Sequence, residues 1–225
     1  MHNTLNNLIN IKEQIQLSLN EKNLKIDIPN IIAVSKTKPI NEIIPLLEYG
    51  HIHYGENKVQ EALEKWPLIK KKYQNIKLHF LGNLQTNKVK FVVSHFDYIH
   101  SLDNIKLAEK ISIEQKKYKK DLKIFIQVNI GNEPQKNGLE INKLKKFYKT
   151  CIETFKLNII GLMCLPPNKI DPKDYFLKML ILSKNLSLKE LSMGMSNDYM
   201  SAITNGSTFV RIGSKIFGPR KTTEF

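Results

Sequence analysis

Cysteine is almost absent: Cys151 and Cys164 are the two thiols in 225 residues. They build neither a disulfide framework nor a close metal-type pair, and so low a count suits a reducing compartment. No apolar run is long enough to span a bilayer, and the N-terminal stretch lacks the basic, apolar and small-residue order of a signal peptide. A cytosolic protein with no membrane partner is expected, and the sequons Asn185-Leu186-Ser187 and Asn205-Gly206-Ser207 are then chance matches. Arginine is equally scarce, with Arg211 and Arg220 alone, so the formal charge of +14 is carried by lysines. These lysines are scattered among abundant Ile and Asn, a mixture that AT-rich codons would encode. The densest runs, Lys70-Lys71-Lys72 and Lys116-Lys117-Tyr118-Lys119-Lys120, read as solvated helix ends and loops. Without a focused patch or stacking aromatics, no specific nucleic-acid partner is expected.

What is present is a core. At 41% hydrophobic content the chain can bury one interior, and no boundary divides it, so one domain over residues 1–225 is expected. Leu8, Ile9, Ile15 and Leu19 recur at helical spacing and predict an amphipathic helix at about 5–20. The period then changes to eight short β-rich runs: Ile31 to Val34, Ile52 to Tyr54, Leu78 to Leu81, Tyr98 to Leu102, Ile124 to Ile130, Ile159 to Leu165, Leu191 to Met193 and Phe209 to Ile212. Helical segments alternate with them at Ile40 to Tyr49, Asn57 to Tyr73, Ile105 to Lys117, Ile141 to Thr154 and Asp174 to Leu186. Eight βα units in this length predict a closed (β/α)₈ TIM barrel. The alternative, a doubly wound open sheet, calls for a glycine-rich turn after its first strand, and Ser35-Lys36-Thr37-Lys38 is no such turn.

Barrels place their chemistry at the C-terminal ends of their strands. Lys36 stands where Ile31-Ile32-Ala33-Val34 runs out into a polar stretch. Apolar neighbours there disfavour the charged amine and favour a nucleophile able to form an imine with an aldehyde. Further strand ends offer Glu56-Asn57, Met163-Cys164, Ser192 to Ser196 and Arg211 to Ser214. The Ser192, Gly194 and Ser196 segment precedes Asn197-Asp198, which would cap a helix running to Gly206, and Gly213-Ser214 adds donors on the next loop. Together they read as an anion site, at the last two βα loops where barrels recurrently bind phosphate. His51 and His53 share a strand face without carboxylate or thiol at ligand spacing, so no metal is expected. In Gly82 to Lys88, Asn87 replaces the glycine that a phosphate loop needs before its lysine.

The segments Ala33 to Pro39, Tyr54 to Asn57, His79 to Lys88, Gly161 to Met163, Leu191 to Ser196 and Arg211 to Gly218 together closely resemble the YggS/PROSC family of pyridoxal 5′-phosphate homeostasis proteins. The likeness runs from about Ile31 to Gly218 in the same order, and its specificity lies in that coverage. It implies a barrel resembling the N-terminal domain of alanine racemase. It makes Lys36 the lysine that holds the cofactor aldehyde as an internal aldimine and sets Asn57 beside the ring. Met163 falls in a cofactor-contacting segment, and Ser192, Gly194, Met195, Ser196, Gly213 and Ser214 in the loops around the phosphate. Arg211 would face the pyridine nitrogen.

A guanidinium can only donate, so the nitrogen facing it stays unprotonated and the ring is a weaker electron sink than a pyridinium. The residues themselves predict only that the cofactor is held reversibly; the resemblance implies a cofactor carrier or buffer without catalytic turnover, and hence without catalytic residues. It would be a monomer that binds pyridoxal phosphate, with pyridoxal-phosphate-dependent apoenzymes as recipients. The rivals are an amino-acid racemase, which adds a β-rich domain where only Pro219 to Phe225 follow here, and a basic nucleic-acid-binding protein.

Overall fold

Eight short strands close into one parallel barrel in sequential order, each paired with its neighbours and β1 with β8. The computed structural model describes residues 3–24, 26–168 and 170–219; Arg220 and the tail to Phe225 lie outside them. The strands are β1 Asn30–Val34, β2 His53–Glu56, β3 Lys77–Phe80, β4 Tyr98–Leu102, β5 Lys123–Val128, β6 Ile159–Cys164, β7 Glu190–Met195 and β8 Phe209–Ile212. The helices are α1 Asn3–Glu21, α2 Ile40–Glu48, α3 Val59–Lys72, α4 Val89–His95, α5 Ile105–Tyr118, α6 Leu144–Glu153, α7 Lys173–Asn185, α8 Tyr199–Thr204 and α9 Ser214–Phe217. The expected (β/α)₈ architecture is thus the observed one. Every strand lies within a residue or two of its expected span. The largest differences, of two residues, are at the ends of β2, which runs on to Glu56, of β5, which stops at Val128 instead of Ile130, and of β7, which runs on to Met195.

Strand residues alternate between two cores, because successive side chains point to opposite faces. Outward residues such as Ile31, Ala33, Leu78, Phe80, Ile124, Ile126, Leu191 and Val210 join the apolar faces of the helices. In α1 these are Leu8, Ile11, Ile15 and Leu19, one helical stripe. The inward set is a separate cluster of Ile32, Val34, Tyr98, Phe125, Met163 and Phe209. Three buried histidines, His53, His79 and His100, sit among these inward residues and contact their rings. Branched aliphatics normally dominate a barrel interior, so this one is unusually aromatic and polar.

The strand β7 carries one extra residue against β8, since Ser192 pairs with Phe209 but Met195 with Arg211. Gly194 inside this bulge has φ +91°, and a Cβ there would lie 2.6 Å from the Ala202 Cβ. Glycine is therefore required, and the bulge re-aims the residues on either side of it.

Candidate cofactor-binding site

A cavity of about 700 Å³ opens at the C-terminal ends of the strands, a size common for small-molecule sites. Its lining brings together seven of the ten residues singled out from the sequence: Lys36, Asn57, Met195, Ser196, Arg211, Gly213 and Ser214. The other three, Met163, Ser192 and Gly194, do not line it. Met163 is buried in the inner core, Ser192 is fully buried beneath Arg211, and Gly194 shapes the bulge.

Lys36 is half-buried in the turn that leaves β1, and that turn is clamped from α3. Lys65 Nζ donates to the Ser35 carbonyl at 2.9 Å, to Glu56 Oε1 at 3.0 Å and to Glu61 Oε1 at 2.9 Å. Thr37, held at φ +63°, donates its N–H to Glu61. Glu56 Oε1 also accepts from Ser35 Oγ at 2.8 Å and Trp66 Nε1 at 3.0 Å. Burial pushes the Glu56 pKa up, while Lys65, Trp66 and Ser35 favour the carboxylate. Lys38, the other lysine on this turn, is committed elsewhere: its Nζ donates to the Phe217 carbonyl at 2.8 Å and pairs with Glu42 at 3.4 Å.

Arg211 forms part of the cavity floor although it is 6% exposed. One guanidinium nitrogen donates to the Ser192 carbonyl and hydroxyl, both at 2.6 Å, and the other to the Cys164 carbonyl at 2.8 Å. Burial lowers its pKa, and Cys164 and Asp198 act the other way. The Cys164 thiol beneath it is pushed up to about 12 by burial, so it is an inert neighbour.

Beside Arg211, at the ends of β7 and β8, the N–H groups of Ser196, Asn197 and Ser214 have no backbone or side-chain acceptor among the described residues. Asp198 accepts from the Met195 N–H at 2.6 Å, where a helix cap to the following turn was expected. Among the described residues the lining carries Lys36, Lys38 and Arg211 against the carboxylate of Asp198, and even with Lys38 paired to Glu42 the charge balance favours an anion.

Asn57 reaches the rim because Gly82 lets the β3 exit pass close to it; a Cβ at Gly82 would lie 2.0 Å from the Asn57 carbonyl oxygen. The sequence reading did not single out Thr37, Leu81 or the Leu165-Pro166-Pro167-Asn168 segment after β6, all of which line the cavity. That last segment follows a strand end, the position rule that found the others. Tyr54 lies outside the site: its ring is fully buried in the helix layer, 4.9 Å from Trp66. No cluster of three or more potential metal ligands occurs among the described residues, and none of their helices is long and apolar enough to cross a membrane.

Residues 13–221 match the profile of the alanine racemase N-terminal domain family. The chain is 36% identical to the pyridoxal phosphate homeostasis protein of Haemophilus influenzae, across 97% of this chain and 96% of that one. It is also 36% identical to the protein of that name from Aquifex aeolicus, across 97% and 99%. The chain belongs to this family. Among solved structures it resembles PipY of Synechococcus elongatus PCC7942, at 31% identity over 91% of this chain and all of that one. The TM-score is 0.81 to PipY without pyridoxal phosphate and 0.80 to PipY with it bound. An alanine racemase from Clostridium difficile, 15% identical, shares the barrel with TM-score 0.67, and the alignment takes in 58% of that longer chain. That likeness concerns the fold alone.

Proposed function

We propose that this chain binds pyridoxal 5′-phosphate in the cavity at the barrel mouth, linked through Lys36, and serves vitamin B6 homeostasis without catalytic turnover. The observation that carries the reading is the convergence of Lys36, Arg211 and the donors of Ser196 and Ser214 on one cavity. An amine, a fixed cation and an anion cradle are the three groups that an aldehyde, a ring nitrogen and a phosphate call for. Bound there, pyridoxal phosphate would supply an aldehyde carbon open to a primary amine and a ring that withdraws electrons from it.

The chain's own contribution is placement. The Lys65, Glu56 and Glu61 network fixes the turn that bears Lys36. Asn57, Gly213 and Met195 bound the space for the ring, and the N–H groups of Ser196, Asn197 and Ser214 are available to phosphate oxygens. Arg211 donates and never gives up its proton, so it disfavours the pyridinium that carbanion chemistry uses. Met163, Ser192 and Gly194 act from beneath as support for the wall and for Arg211. Transfer to apoenzymes, a monomeric state and a cytosolic location, with both thiols reduced and buried, complete the proposal.

Racemisation needs an acid and a base on opposite faces of the substrate carbon. No tyrosine, histidine or cysteine lines the cavity among the described residues. Because Arg211 disfavours the pyridinium that would stabilise even a one-base carbanion, the purified protein should gain a visible absorbance on addition of pyridoxal phosphate, yet leave the α-hydrogens of alanine and serine unexchanged in D₂O by NMR. Exchange at about 1–10³ per second, the range of dedicated enzymes, would replace the carrier reading with a catalytic one.

A further inference from the structure

Three imidazoles run in series across the barrel interior. Nδ1 of His53 on β2 lies 2.9 Å from Nε2 of His79 on β3, and Nδ1 of His79 lies 2.9 Å from Nε2 of His100 on β4. The series continues across the barrel, because His100 Nδ1 lies 2.9 Å from Ser192 Oγ on β7. That same hydroxyl receives the Arg211 guanidinium at 2.6 Å. Two of the rings are held by stacking: His79 lies on Tyr98 at 4.1 Å and His100 on Phe125 at 4.3 Å. His79 and His100 are fully buried, and both ring nitrogens of each find their partners within the series.

The series has one polarity. A guanidinium only donates, so Ser192 Oγ accepts from Arg211. The Ser192 proton then has His100 Nδ1 as the acceptor within reach among the described residues. An imidazole that accepts at Nδ1 and is neutral carries its proton on Nε2. His100 therefore donates to His79 Nδ1, and His79 in turn donates to His53 Nδ1. The reverse order would give Ser192 two donors and leave its own proton with no acceptor in a buried site.

We propose that His53, His79 and His100 form a one-way hydrogen-bond relay, each neutral and protonated on Nε2, which positions the Arg211 guanidinium through Ser192. Burial and the surrounding charges hold all three rings neutral: Lys77 and Lys123 face His53 with Asp97 opposing them, Lys70 and His51 face His79, and Arg211 faces His100. These are positioning residues, since no histidine lines the cavity among the described residues. Their bearing on a bound pyridine ring rests on the cofactor reading above; the relay itself does not.

The direct test is NMR of protein labelled with ¹⁵N-histidine, without added cofactor, near neutral pH. All three rings should be neutral with the proton on Nε2. A proton on Nδ1, or a charged ring, at any of the three positions overturns the relay. The positioning step is tested by substituting His100 in two ways. An Asn side chain offers its amide oxygen near the former Nδ1, whereas a Gln side chain reaches the former Nε2 and abandons Ser192. His100→Gln should speed solvent exchange of the Arg211 guanidinium protons about tenfold, while His100→Asn stays near the parent. With only two arginines in the chain, Arg211 is readily assigned. Equal exchange in the two variants overturns the positioning step. Should either variant fail to fold, the tautomers of the parent protein still decide whether the relay exists. Intact tautomers in a protein that binds no pyridoxal phosphate would sink the cofactor reading and leave the relay standing.

Discussion

Lowering the pH from 7 to 5 should remove several kcal/mol of stability, on the order of 2 kcal/mol for each of four buried histidines. Burial, the largest influence on each, holds His51 at about 3 and His53 at about 4, and keeps His79 and His100 well below the ordinary histidine value. In the unfolded chain all four titrate near about 6.5. Below that value the unfolded state takes up protons that the folded state refuses. The stabilisation is therefore complete above about pH 6.5 and is lost as the pH falls toward the folded values. Glu56 works in the opposite sense, because its raised pKa lets the folded state bind a proton first, but it is one group against four. Domains commonly hold about 5–15 kcal/mol in all, so unfolding by urea at pH 7, 6 and 5 should show a steep fall in midpoint. A midpoint unchanged between pH 7 and 5 would mean that the inner histidines are not neutral in the folded barrel.

The second large effect concerns the phosphate. Pyridoxal should bind at least about a hundredfold more weakly than its phosphate, since each charge-assisted hydrogen bond lost is worth roughly 1.5–3 kcal/mol. The donors at stake are the N–H groups of Ser196, Asn197 and Ser214, aided by the positive balance of the lining. Ser196→Ala and Ser214→Ala should each weaken binding by about tenfold or less, because hydroxyl deletion leaves the backbone donors in place. Equal affinity for pyridoxal and pyridoxal phosphate in an equilibrium titration would remove the anion cradle from the account.

The architecture was legible because hydrophobic period and element order are local properties. Runs such as Ile31 to Val34 and Phe209 to Ile212 announce strands, and their number in 225 residues leaves little but a closed barrel. Lys36, Arg211 and the Ser214 turn were legible by one rule, that polar residues at strand ends face the mouth. The rule says nothing about depth. Ser192 sits three residues before Met195 on the same strand, yet the bulge around Gly194 leaves Ser192 buried and brings Met195 to the cavity. A one-residue bulge is set by tertiary pairing, and the sequence marks it only by a glycine that also suits a turn. The short helices α4 and α9 escaped for a related reason, since seven and four residues hold too little period to read. The histidine series was missed because its members come from three strands. In the sequence His53 reads only with His51, as a pair without metal-ligand spacing, and nothing local reveals that His79 and His100 share its inward face.

The central claim is that Lys36, among the lysines of this chain, is the one that holds the cofactor. Reduction of the protein with borohydride after addition of pyridoxal phosphate, followed by peptide mass spectrometry, tests it most directly. One pyridoxyl group per chain is expected on Lys36, with Lys38→Ala labelled as fully as the parent and Lys36→Ala unlabelled. Stoichiometric label on Lys38, or full labelling of Lys36→Ala, would contradict it.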